Sequence, residues 1–142
     1  MNSMLKRLAI AVGLIAVWLI PLVGGSSSGS SLDGTQWKLI GWTLNSLKPT
    51  DFTITAKFAD GRISGHSAVN TYSGPCTIDA KGSFSAGPLM GTMMAGSEPA
   101  MHAETAYLKL LGQAKSYKVI DRKLKLYDKG GNESLIFEAA SK

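Results

Sequence analysis

With one cysteine in 142 residues, Cys76, the chain can neither close a disulfide on itself nor build a cysteine-based structural zinc site. Cys76 reads as a half-buried small apolar residue, with pairing to a second molecule as its alternative use. Histidine is nearly as scarce. His66 and His102 are the only two, and no acidic cluster accompanies them, so no metal-ligand set is legible. The 16 glycines contain no phosphate-loop pattern, and the 10 Asp and Glu are scattered mainly in turns, unpaired for glycoside chemistry. There is no internal repeat.

Nucleophilic catalysis finds little support. Gly65-His66-Ser67 matches part of a nucleophile elbow, but Val69 stands where that motif requires glycine, and no helix is expected to follow. A serine nucleophile also needs a base oriented by a third group, and only His66, its chain neighbour, and His102 are candidates. Ser67 reads first as a loop serine and second as the nucleophile of a small hydrolase. His102 sits four residues after Glu98, the spacing of an ordinary helix-surface pair. The expectation is therefore no catalytic, cofactor-binding or metal residues.

What the chain does contain begins at the N-terminus. Lys6 and Arg7 precede 18 residues, Leu8 to Gly25, without a charged side chain. Leu, Ile, Val and Ala dominate the run, Pro21 breaks it, and Val23-Gly24-Gly25 places small residues before a polar stretch. Residues 1–25 are expected to be a secretory signal peptide cleaved after Gly25, or an uncleaved anchor in the inner membrane, since 18 residues sit at the threshold for spanning a bilayer. Gly24, Gly25 and Ser26 occupy the place where a lipoprotein needs its acylated cysteine, so the chain is not a lipoprotein. Residues 26–31 (SSSGSS) form a flexible linker. Without residues 1–25 the chain keeps 13 Lys and Arg against 10 Asp and Glu, a net charge of +3 that gives no argument for a nucleic acid partner.

A single domain is expected over residues 32–142. Thr35 to Ile40 alternates as a strand with Trp37 and Leu39 on one face. In Phe52 to Phe58, Phe52, Ile54, Ala56 and Phe58 face one way and Thr53, Thr55 and Lys57 the other. Asp60-Gly61 suits a hairpin turn. Strand fragments follow around Ile63, Cys76 to Ile78 and Ser83 to Ser85. Gly87 to Gly96, with three Met and three Gly, reads as a partly buried crossing in which the methionines fill gaps. One helix is predicted from Glu98 and Pro99, with Met101, Glu104, Leu108 and Leu111 at helical spacing, Tyr107 and Leu110 broadening the stripe, and Gly112 as C-cap. Ser116 to Ile120, Lys123 to Tyr127 and Ser134 to Glu138 complete the pattern. The fold class is α+β, a curved antiparallel β-sheet of about seven short strands with one α-helix packed against it.

The order of these landmarks resembles the META domain, or HslJ-like, family. The resemblance is carried by Leu32-Asp33-Gly34-Thr35-Gln36-Trp37-Lys38-Leu39, by Ile63-Ser64-Gly65 with Asn70-Thr71-Tyr72-Ser73-Gly74, by Gly91-Thr92-Met93-Met94-Ala95, by the helix residues, and by Leu124-Lys125-Leu126-Tyr127-Asp128. It covers residues 32–138, and order and spacing carry it rather than any single motif. It implies an exported or envelope protein linked to stress tolerance, with no known reaction. The family often has Gly-Cys-Asn before the aromatic residue and Met-Ala-Cys before the helix, and the resemblance implies that those cysteines pair. Here the matching positions are Ala68-Val69-Asn70 and Met94-Ala95-Gly96, so both cysteines are absent together and Cys76 matches neither.

The charged feature of interest is the hairpin after the helix. Lys115, Lys118, Arg122, Lys123, Lys125 and Lys129 fall within 15 residues, with Tyr117 and Tyr127 interleaved. Lys118, Arg122, Lys123 and Lys125 would suit an anionic membrane surface or an acidic envelope protein; the plainer reading is a solvated face guarding a strand edge. The function expected overall is a non-enzymatic binding or structural module of the cell envelope, a binder being expected to show an apolar groove lined by Met90, Met93 and Met94. The alternatives are the Ser67 hydrolase and a protease-inhibitor-like module.

Overall fold

The computed structural model describes residues 32–44 and 46–141. The expected signal or anchor over 1–25 and linker over 26–31 lie outside the described residues. Among those described, no helix is long and apolar enough to cross a membrane.

Nine strands and one helix follow one another in the order β1 (Gln36–Trp42), β2 (Thr55–Ala59), β3 (Arg62–His66), β4 (Thr71–Ile78), β5 (Phe84–Ala86), β6 (Met90–Gly91), α1 (Glu98–Gln113), β7 (Ser116–Ile120), β8 (Lys123–Tyr127) and β9 (Glu133–Ala139). All strand pairs are antiparallel, in the spatial order β5-β4-β3-β2-β1-β9-β8-β7, with β6 added beside β4. The two ends of this path meet. Ser83 and Ser116 form an isolated antiparallel bridge, Phe84 N–H donates to Lys115 O at 3.0 Å, and Tyr117 N–H donates to Gly82 O at 2.9 Å. The curved sheet thus closes almost into a barrel, which removes most of its exposed edge.

Alternation builds the interior. Trp37 and Leu39 of β1, Ile54 just before β2, Ala56 and Phe58 within it, Leu124 and Leu126 of β8, and Leu135 and Phe137 of β9 are buried, while Lys38 and Lys57 between them face solvent. The hairpin turns Asp60-Gly61 and Asp121-Arg122 have both central residues at positive φ, the geometry that matches the right-handed twist of the flanking strands. Gly65 lets two backbones cross, because a Cβ there would lie 2.1 Å from Thr55 O.

Helix α1 starts at Ser97, whose Oγ accepts from Ala100 N–H at 3.4 Å, with Glu98 in its first turn. It buries Ala103, Tyr107 and Leu111. Tyr107 packs edge-on against Tyr72 and Phe137, with ring centroids 5.5 and 6.3 Å away. The Tyr72 hydroxyl donates to Thr55 O at 2.8 Å, so the Tyr107 hydroxyl must donate the 2.6 Å bond between the two phenols.

Four expectations need correction. Among the described residues the sheet has nine strands rather than about seven, the two-residue β6 being too short to show a period. The buried ridge of α1 is Ala103, Tyr107 and Leu111; Met101 is exposed, and Glu104, Leu108 and Leu110 are half-buried. Gly112 lies inside the helix, which ends at Ala114 in an extended conformation. Finally, the methionines of the crossing fill no gap: Met90, Met93 and Met94 are 76%, 97% and 61% exposed. The crossing is held instead by backbone contacts to β4 and by the polar cluster described next.

Candidate functional site

Asn70 immediately precedes β4 and is buried at the centre of a dense polar cluster. Its Nδ2 donates to Glu104 Oε2 at 2.9 Å and to Met94 O at 3.2 Å. Its Oδ1 accepts from Thr92 Oγ1 and from Met94 N–H, both at 2.8 Å. The backbone N–H of Asn70 donates to Glu104 Oε1 at 2.8 Å, and its carbonyl accepts from Ser67 N–H at 2.8 Å and from His66 Nδ1 at 2.9 Å. One residue therefore joins the β3–β4 turn, the crossing and the helix, with its amide fully used. Glu104 is the anchor on the helix side. Burial works to raise its pKa, but hydrogen bonds from Ser67, from the Asn70 side chain and from the backbone of Asn70 and Val69 outweigh it and hold the carboxyl below its usual range.

Ser67 belongs to this cluster. It is fully buried, and its hydroxyl reaches Glu104 Oε1 at 2.5 Å and Asn70 O at 2.9 Å. Its single proton goes to the carboxylate, the stronger and nearer acceptor. His66 turns its ring to Asn70 O, and His102 is exposed on the outer side of α1. The structure thus brings Ser67 to an acceptor that orders it, not to an imidazole that would deprotonate it. Among the described residues no buried side-chain nitrogen or oxygen lacks a partner. Sequence reading placed Glu104 in an apolar stripe and overlooked its role; a lone carboxylate on the core-facing side of a helix was the available signal.

The two positions at which family cysteines would stand are adjacent. A Cβ on Gly96 would lie 3.5 Å from Val69 Cβ and 2.7 Å from Val69 Cγ2, so the valine side chain fills the space over the glycine. Cys76, in contrast, is buried in the core, deeper than the half-buried place expected of it, and burial pushes its thiol up to about 12.

Clefts among the described residues include two of note. One, of about 390 Å³, lies between Leu44 and the outer face of α1 at His102, Ala106 and Leu110. The other, an open groove of about 1100 Å³, lies between the start of β1 at Gly34 to Trp37, the end of β9, and Val119 and Arg122 of the β7–β8 hairpin. Neither is lined by Met90, Met93 or Met94. In the hairpin Lys118 stands opposite Lys125 and Ile120 opposite Lys123. Lys125 pairs with Glu133 at 3.4 Å, and Lys118 Nζ lies 5.5 Å from the Tyr127 ring centroid. Lys118, Arg122 and Lys123 are exposed and make no ion pair among the described residues.

Comparison with known proteins places this geometry. A protein from Burkholderia xenovorans, solved by NMR, is similar at 28% identity and a TM-score of 0.66, over 78% of this chain and 85% of that one. A DUF4847 family protein from Bacteroides vulgatus ATCC 8482, solved by crystallography, shares the fold at 15% identity and a TM-score of 0.59, over 79% of this chain and 96% of its own. No curated protein matches the chain. Residues 30–141 match the META domain as a family. One helix packed on a curved antiparallel sheet, as in these solved structures, and a family match over nearly the whole described region agree: the chain belongs to the META domain family.

Proposed function

We propose that this chain is an exported cell-envelope protein whose META domain works without catalysis, as a binding or structural module in stress tolerance. The observation that carries the non-catalytic part is the use made of Ser67. The one serine with a motif-like setting is buried and hydrogen-bonded to Glu104, where it ties the sheet to the helix. The export part rests on Lys6, Arg7 and the uncharged run from Leu8 to Gly25.

Fractionation of the native host, with intact mass of the recovered protein, tests the address. A species beginning at Ser26 in the envelope fraction, or the full chain in the membrane fraction, is the expected result. Full-length protein in the cytosol would overturn it. A serine-reactive phosphonate tests the rest: Ser67 should stay unlabelled in the folded protein, and stoichiometric labelling there would revive the hydrolase.

A further inference from the structure

The β7–β8 hairpin ends in exposed aliphatic side chains set among cations. Val119 pairs with the buried Leu124 and lies on the inner side of the sheet, yet it is 45% exposed. It is uncovered because the neighbouring β5 meets β7 only around Ser116 and Tyr117, so the hairpin runs on beyond the closed part of the barrel. Ile120, on the outer side, is 46% exposed. Around these two aliphatic side chains stand Lys118, Arg122 and Lys123, exposed and without ion pairs among the described residues. The opposing charges nearby are Asp121 in the turn and Glu138, the cross-strand neighbour of Lys123, so the tip keeps a positive excess.

The position of this tip is the second observation. Ala139 N–H donates to Arg122 O at 3.2 Å and Ala140 N–H to Gln36 O at 3.0 Å, which sets the hairpin turn beside the start of β1. Gly34 to Trp37 and Val119 and Arg122 line the same groove. The chain preceding the domain therefore joins it at the end that carries the tip. Six linker residues, 26–31, reach at most roughly 20 Å when extended. An apolar segment over residues 8–25 lying in a bilayer would hold this end of the barrel against it.

We propose that the tip of the β7–β8 hairpin docks on an anionic lipid bilayer, with Val119 and Ile120 entering the interface and Lys118, Arg122 and Lys123 meeting headgroup phosphates. This rests on the reading of residues 8–25 as a membrane segment, and it adds a second contact to it. Exposed aliphatics ringed by cations match the two layers of such a surface, apolar below and negatively charged above.

The full chain, reconstituted into vesicles of phosphatidylcholine alone or of phosphatidylcholine mixed with phosphatidylglycerol, allows the test by amide hydrogen exchange. Exchange at residues 119–123 should slow by about tenfold in the anionic vesicles relative to the neutral ones. The turn at Lys129 to Asn132, at the far end of β8, should exchange alike in both. High salt, and the combined substitution Lys118→Gln, Arg122→Gln and Lys123→Gln, should each erase the difference, with unchanged exchange at Leu124 and Leu126 reporting an intact fold. Equal exchange at the tip in the two lipids overturns the proposal. Because the vesicle result does not depend on where the host keeps the protein, failure of docking and failure of export read out separately.

Discussion

Glu104 keeps its negative charge against the cost of partial burial because donors from Ser67, Asn70 and Val69 converge on it. The sign of its contribution follows from the direction of the shift. A carboxyl held below its unfolded value binds its proton more weakly in the native state, so stability rises with pH across the carboxylate range. The contribution is complete above the unfolded glutamate pKa of about 4.3 and is lost as pH falls through the lower folded value. Glu104→Gln should cost about 2 kcal/mol at neutral pH, by removing charge-assisted hydrogen bonds and setting an amide N–H₂ against other donors. It should also flatten the acid limb of stability. Urea unfolding of both proteins at a series of pH values between neutrality and the acid limb checks both expectations. Asn70→Ala should be at least as damaging, since it strips partners from Thr92, Met94 and Glu104 at once.

Among the elements, α1 shows both how far the sequence is legible and where it stops. Ser97, Glu98 and Pro99 mark its start, and its length follows from an apolar period that runs to Leu111. Of the face it buries, Tyr107 and Leu111 are legible in the apolar stripe and Ala103 is not, because a small residue carries little period while Met101 and Leu108 count as apolar by composition. Strand alternation fared well in β1, β2 and β8, where one side of each strand meets the core. It could not show β6, held by two backbone pairings to β4, or the Asn70 cluster, whose members lie up to 37 residues apart. Gly112, inside the helix with nothing within 4 Å of an added Cβ, is a weakness of the element. Gly112→Ala should raise stability by about 0.8–1 kcal/mol, measured by thermal or urea unfolding.

The junction of β4 with the segment leading into α1 offers another test at this scale. Val69 and Gly96 approach closely enough for a disulfide, whose Cβ atoms normally lie about 3.5–4.5 Å apart. Val69→Cys with Gly96→Cys, oxidised by dissolved oxygen or oxidised glutathione, should close a bridge and stabilise the domain by roughly 3 kcal/mol against its reduced form. Mass spectrometry and unfolding with and without reductant read this directly. Gly96→Ala alone should destabilise by about 1–3 kcal/mol through crowding against Val69, and Val69→Ala should relieve most of it.

At the scale of the whole molecule, closure of the sheet is the feature with the largest reach. If β5 and β7 meet as described, the amides of Phe84 and Tyr117 should exchange as slowly as those of the central strands, although both belong to the ends of the strand path. Fast exchange at these two alone would mean an open sheet. The same topology places β9, the last strand of the chain, between β1, the first, and β8. Its residues Leu135 and Phe137 are wholly buried. A nascent chain therefore lacks an interior strand of the barrel until Ala139 has left the ribosome. Until then such a polypeptide remains threadable, the state in which a chain can be passed end-first through a narrow pore and fold on the far side.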